Sequence, residues 1–187
     1  MNLVIFGPPG AGKGTQSNLI VKKFQLYQVS TGELLRDEIK KKSKLGNEIS
    51  SIINAGNLVS DSIVGNLIEK FISNEDYKNR LIFDGYPRAI DQAKNLDLLL
   101  KDSEQKIDFI FFLNVSKDTI IKRIEKRKLL EKRSDDDLDT TLKRYDTYMQ
   151  TTKPVLDYYS SHENYHEIDG SMEIAEITKK IEEILKV

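Results

Sequence analysis

Apolar residues along this chain fall into two spacings. Short unbroken runs, Leu3 to Phe6, Tyr27 to Ser30, Leu81 to Phe83, Phe109 to Leu113 and Tyr165 to Ile168, have the length and residue types of strands buried on both faces. Between them the spacing becomes helical. Leu45, Ile49, Ile52 and Ile53 share one face, which Gly56 closes as a C′ residue. Val64, Leu67, Ile68 and Phe71 share another, opened by Ser60 or Asp61 as N-cap. Ser30 and Glu33 stand at capping-box spacing. Leu138, Leu142, Tyr145, Met149, Leu156 and Tyr159 trace a long stripe, which Pro154 should kink or split. Ile174, Ile177, Ile181, Ile184 and Leu185 give a last helical face, begun at Ser171. Strands alternating with helices predict a three-layer α/β fold: a parallel sheet of about five strands with helices on both faces. The interval from Thr31 to Ile72 holds two or three helices and no strand. That exceeds one crossover and predicts a small helical insertion.

The first strand runs into Gly7-Pro8-Pro9-Gly10-Ala11-Gly12-Lys13-Gly14-Thr15-Gln16. A strand, a glycine-rich loop, a lysine and then a helix make a phosphate-binding loop. Glycines let successive N–H groups turn toward one anion, and a side chain at Gly10 or Gly12 would obstruct that approach. The helix adds its unpaired N–H groups and the positive end of its dipole. Lys13 adds a full charge for the outer phosphates. Gly14 separates the lysine from the hydroxyl of Thr15, a variant that argues against a GTPase switch, as does the lack of an Asn-Lys-x-Asp segment. The plainer alternative is a glycine-rich turn with no ligand.

Composition narrows the class. At 187 residues the chain reads as one domain, residues 1–187, with small insertions. Basic and acidic residues nearly cancel, for a net charge of −1, and form no single-sign stripe, so neither nucleic acid nor a membrane is expected as partner. Cysteine is absent, which excludes disulfides and Cys-ligated zinc. His162 and His166 do not make a metal site by themselves, and no zinc is expected. The strand begins almost at Met1 and no apolar run reaches membrane-spanning length, so a cytoplasmic protein is the expectation. Lys40 to Lys44 reads as a solvated helix end, and Asp135 to Asp137 as a solvated helix start.

Phosphoryl transfer asks for positioned positive charge more than for covalent chemistry. Arg88 sits on a Gly/Pro turn directly after the third strand, and Asp84 at that strand's end suits a carboxylate orienting magnesium-bound water. Asp84 can also be read as a simple turn or cap residue. Arg36, Arg123, Arg127, Arg133 and Arg144 complete a candidate ring of cations.

Several of these segments together resemble the adenylate kinases in their short-lid form, nearly end to end. The loop Gly7 to Gln16, the segment Val29-Ser30-Thr31-Gly32-Glu33-Leu34-Leu35-Arg36, Gly56 to Val59, Asp84 to Arg88 with Gln92, and Lys122-Arg123 through Arg144 match the family's motifs in order and spacing. The resemblance implies a P-loop fold and reversible phosphoryl transfer from magnesium-bound ATP to AMP, giving two ADP. It implies that Gly10, Ala11, Gly12, Lys13, Gly14 and Thr15 hold ATP phosphates, that Arg123 and Arg127 cover the ATP, and that the backbone near Gly170 meets its base. Thr31 and Arg36 would hold AMP, and Asn57, Leu58 and Val59 would line its base pocket. Gly85, Tyr86, Pro87 and Arg88 would contact its phosphate and base, with Gln92 on adenine. Arg133 and Arg144 would bridge the two phosphate chains. Residues 30–59 would be the AMP-binding subdomain and 126–136 a short lid, in a monomer.

Two other functions compete. A UMP/CMP kinase shares most motifs, but Thr31, Leu58-Val59 and Gln92 resemble the adenylate form. A nucleotide-binding module without turnover is the other. In the lid, Lys128 and Lys132 stand where short-form relatives carry glycines, with Leu129 and Leu130 between them. The segment has a second reading, as an extension of the preceding helix.

Overall fold

The computed structural model describes residues 1–131 and 137–186, Glu131 by its backbone alone. Among these residues five strands form one parallel sheet: β1 (Leu3–Phe6), β2 (Tyr27–Ser30), β3 (Leu81–Asp84), β4 (Phe109–Asn114) and β5 (Tyr165–Asp169). Their order across the sheet is β2-β3-β1-β4-β5. All five lie where the apolar runs predict them, three ending one residue later. Leu3 is in register with Ile82 on one side and Phe109 on the other, so β1 is central. Chain direction across the sheet reverses about β1, and the carboxyl ends of its strands form the crevice where such folds take ligands.

Alternation along the central strands supplies both faces. Val4 and Phe6 join Val29 and Phe83 in one core, closed by Ile68, Leu96 and Val155. Leu3 and Ile5 join Ile82 and Phe111 in a second core, closed by Ile20, Ile120, Ile124 and Ile181. The helices that cover them are α1 (Lys13–Phe24), α2 (Thr31–Lys40), α3 (Lys44–Asn54), α4 (Asp61–Ile72), α5 (Ile90–Asp102), α6 (Lys117–Glu131), α7 (Leu138–Thr147), α8 (Lys153–Tyr159) and α9 (Ile174–Leu185). The helical insertion is α2, α3 and α4. Gly56 closes α3 as expected: its N–H bonds to Ile53 O and that of Asn57 to Ile52 O, a Schellman pair.

Local expectations at helix starts and along the long stripe hold in part: Ser60 caps α4 and the long helix splits at Pro154, but the Ser30 capping box and the Ser171 start do not form. Ser30 precedes α2 but its side chain makes no capping bond, because β2 hands the chain directly to the helix. Ser60 is the N-cap of α4, also without a side-chain bond. The last helix begins after Glu173, not at Ser171. Glu173 and Glu176 form the capping box there, while Ser171 donates to Asp169 in the preceding turn. The long stripe splits at a π-helical turn, Tyr148–Thr152, just before Pro154. Pro154 has no N–H to give the turn before it. The π turn carries one extra residue, so Met149 of the predicted stripe is exposed while Tyr148 and Thr152 are buried; Leu138, at the start of α7, is exposed as well.

Lys40 and Lys41 pair with Asp37 and Glu38 one turn back, at 2.7 and 2.6 Å, as a solvated helix end does. Asp137 caps α7, accepting from Thr140 N at 2.9 Å. No helix among the described residues is long and apolar enough to cross a membrane.

Candidate functional site

From Phe6 the chain turns through Gly7–Gly12 into α1 at Lys13. Gly10 has φ 82°, and a Cβ there would stand 2.9 Å from Ile124 Cγ1 of α6. Gly12 differs. Its φ is 96°, but a Cβ would meet nothing within 4 Å, so what favours glycine within the protein is backbone conformation rather than space. Lys13 Nζ donates to Gly7 O at 2.7 Å and Pro8 O at 3.1 Å, which seats the ammonium inside the loop. Burial lowers its pKa to about 8; Asp84 opposes the shift, and Arg88, Arg144 and Arg127 add to it.

Two cavities meet at this lysine. The first is a cleft of about 800 Å³ floored by the loop from Gly10 to Thr15. Its walls are α6 and the segment Ser171–Ile174. Arg123, Lys126, Arg127 and Leu130 line it from α6 at helical spacing, so one face of that helix turns to the cleft. Arg123 also donates to Ala11 O at 3.3 Å. The second cavity lies between the helical insertion and α7. Asn57, Leu58, Val59 and Pro87 line it, as do Thr147, Tyr148 and Thr152. Lys13, Arg36, Gly85, Arg88 and Arg144 line both cavities. A shared cationic wall therefore joins the wide first cleft to a second, smaller cavity of about 110 Å³.

The neighbours of Arg88 fix where its guanidinium lies. Its Nε donates to Gly85 O at 2.6 Å, and its backbone N–H to Gln92 Oε1 at 2.7 Å. Thr31 Oγ1 donates to the same Gly85 carbonyl at 2.8 Å. The Tyr86–Pro87 bond within this loop is cis. Burial, then the nearby Arg144, lowers the Arg88 pKa to about 10, so the group stays charged at neutral pH.

Asp84 is buried at the end of β3. Its carboxylate accepts from Gln28 Nε2 at 3.2 Å and sits 3.5 Å from where a Cβ on Gly14 would stand. Asp84 and Thr15 both face the first cleft. One carboxylate and one hydroxyl beside a phosphate loop fit magnesium, which keeps waters and takes few protein ligands. No cluster of three His, Cys, Asp or Glu side chains occurs among the described residues.

Most of the anticipated residues stand on these walls, but four do not. Thr31, Tyr86 and Gln92 are buried just behind the second cavity. Gln92 holds Arg88 through its Oε1, and its Nε2 donates to Asp61. Gly170 is packed against Val115, where a Cβ would lie 2.5 Å from Cγ2; Ser171–Ile174, just after it, line the first cleft. Arg133 lies outside the described residues, as do residues 132–136 of the anticipated lid. Residues 126–131 of that lid are the last turns of α6, as the helix-extension reading has it. Sequence reading missed Thr147, Tyr148 and Thr152. Tyr148 and Thr152 follow Arg144 at i+4 and i+8, a polar line on the helix that the apolar count passes over.

Known proteins match this chain over the same elements. The family model described as adenylate kinase covers residues 5–164. A protein of Pelagibacter ubique named adenylate kinase is 48% identical, with all of both chains aligned. That alignment spans 213 positions, more than the 187 residues here, so the relative carries stretches without a counterpart in this chain. A protein of Azobacteroides pseudotrichonymphae with the same name is 42% identical over 98% of this chain and 96% of its own. One of Fusobacterium nucleatum, also so named, is 39% identical over 99% and 98%. With a family model over most of its length and full-length relatives of this similarity, the chain belongs to the adenylate kinase family.

Proposed function

We propose that this protein transfers the terminal phosphoryl group of magnesium-bound ATP to AMP, reversibly, giving two ADP. One observation carries the reading: two cavities share a wall of Lys13, Arg36, Arg88 and Arg144. ATP belongs in the cleft floored by the glycine loop, with Arg123 and Arg127 over it. AMP belongs in the cavity under the insertion, its base toward Asn57, Leu58 and Val59 and its phosphate toward Arg36 and Arg88.

The chemistry needs no protein nucleophile. The attacking oxygen of AMP is already anionic, so the work is to hold two polyanions in line and neutralise charge on the moving group. Lys13 donates hydrogen bonds to the transferring phosphate, exchanging the loop carbonyls for phosphate oxygens. Arg88 and Arg144 neutralise the meeting point of the two chains, and Arg133 shares that task. Asp84 and Thr15, which both line the donor cleft, would hold magnesium bound with ATP, Asp84 through water, and the ion would supply charge to offset that of the triphosphate. Gln92, off the cavity wall in the ligand-free protein, serves the acceptor side by holding Arg88; its remaining N–H and lone pair match the donor–acceptor edge of adenine and would reach it only if the side chain turns into the cavity. Residues 30–59 serve as the acceptor subdomain. Water competes as acceptor, and Arg123, Lys126, Arg127 and Leu130 of α6 wall the donor cleft on one side. We take the protein to be a cytoplasmic monomer.

A coupled assay crossing ATP with AMP, CMP and UMP tests this. The expected ranking places AMP well above both pyrimidine nucleotides. Faster turnover of CMP or UMP moves the protein to the pyrimidine kinases, and tight ATP binding without any product makes it a binding module.

A further inference from the structure

The loop Gly85–Arg88 carries the acceptor-side guanidinium, and its conformation depends on hydrogen bonds from elsewhere. Thr31 and Gln92 hold it from the insertion side and from α5. A third bond comes from the other side of the cavity. Thr152 Oγ1 donates to the backbone carbonyl of Arg88 at 3.0 Å. Thr152 is buried, and it lines the second cavity. It ends the π turn that divides α7 from α8, on the same helical rod as Arg144.

We propose that Thr152 is a positioning residue for phosphoryl transfer, fixing Arg88 relative to Arg144 through the Arg88 carbonyl. Arg88 and Arg144 are like charges near enough that Arg144 lowers the pKa of Arg88, a repulsion between the two guanidiniums. The bond from Thr152 resists that by tying the backbone under one guanidinium to the helix that bears the other. The π turn gives this tether its reach, since widening the helix by one residue swings Thr152 into the cavity. The neighbouring Thr151 has a different use: its hydroxyl bonds back to Thr147 O at 2.7 Å within the helix. The inference rests on the assignment of the second cavity to AMP.

The test is Thr152→Val, which keeps shape and removes the donor, beside Thr152→Ser, which restores it. The losses are expected in kcat/KM for AMP, about tenfold for valine, the size of one hydrogen bond. Serine should return most of that, and the dissociation constant for ATP should stay within about twofold. A double-mutant cycle with Arg88→Ala reads the route: if Thr152 acts through Arg88, valine costs little more once Arg88 is gone. Should valine unfold the protein, Thr152→Ala carries the same cycle. A parental kcat/KM in the folded variant, an ATP dissociation constant that rises as much as kcat/KM for AMP falls, no rescue by serine, or full additivity with Arg88→Ala each overturns the proposal. A parent enzyme that does not phosphorylate AMP overturns the acceptor assignment instead, and shows as such before any variant is made.

Discussion

Lys13 shows how one side chain's surroundings set a measurable limit. Its pKa is lowered to about 8, chiefly because the loop buries it. The charged form is the one that meets phosphate. So kcat/KM for ATP, which reports the free enzyme, should decline as pH rises through about 8. Bound phosphates favour the charged ammonium, so the corresponding limb in kcat should lie at higher pH. Stability runs the other way. An unfolded lysine holds its proton to about 10.4, so between the two values the unfolded chain binds more protons and the ligand-free protein gains stability with pH. Lys13→Met should remove both effects and most of the activity. A flat kcat/KM profile from pH 7 to 10 would show that the lysine keeps its ordinary pKa. Lys13 and Arg88 were legible because glycines and prolines mark their loops. Thr152 was not, because threonine in a helix carries no signal until the π turn reveals which way it faces.

At the scale of elements, the strands and an insertion of two or three helices could be read directly, since buried parallel strands are plain apolar runs. Helix starts were harder. Ser30 has the sequence of a cap and does not act as one, while Glu173, a poor cap by type, forms a capping box with Glu176. Caps depend on the path by which the chain enters the helix, and sequence does not display that path. Packing inside the insertion was equally hidden. Gly46 opens α3 against α2, and a Cβ there would stand 2.5 Å from the backbone carbonyl of Glu38. Backbone cannot yield as a side-chain tip can. Gly46→Ala should therefore part the two helices and destabilise the protein by about 1–3 kcal/mol. Because α2 carries Arg36, KM for AMP should rise as well. Urea unfolding and acceptor kinetics together check this; an alanine variant as stable as the parent would mean that the helices reposition at no cost.

The whole molecule is two cores back to back on one sheet, with the cationic wall at the sheet's carboxyl edge. Burial of this kind explains why the fold exists without nucleotides, but it leaves Lys13, Arg36, Arg88 and Arg144 in mutual repulsion. Asp84 offsets part of that repulsion at Lys13 and Arg88, and anions filling both cavities would offset more of it. This leads to a prediction about linkage. A two-headed adenosine polyphosphate, spanning both cavities, should raise the unfolding midpoint more than ATP and AMP supplied together at equal concentration, since joining the two ligands makes the second contact intramolecular. At a hundred times its dissociation constant it should contribute about 2.7 kcal/mol of stability. The gain should shrink in Arg88→Ala and in Arg144→Ala, because each removes charge from the junction and not from either base site. Equal stabilisation by the mimic and by ATP alone would mean that only the glycine-loop cleft is filled. The shared wall would then be two separate anion sites, and direct transfer between bound nucleotides would have no structural basis.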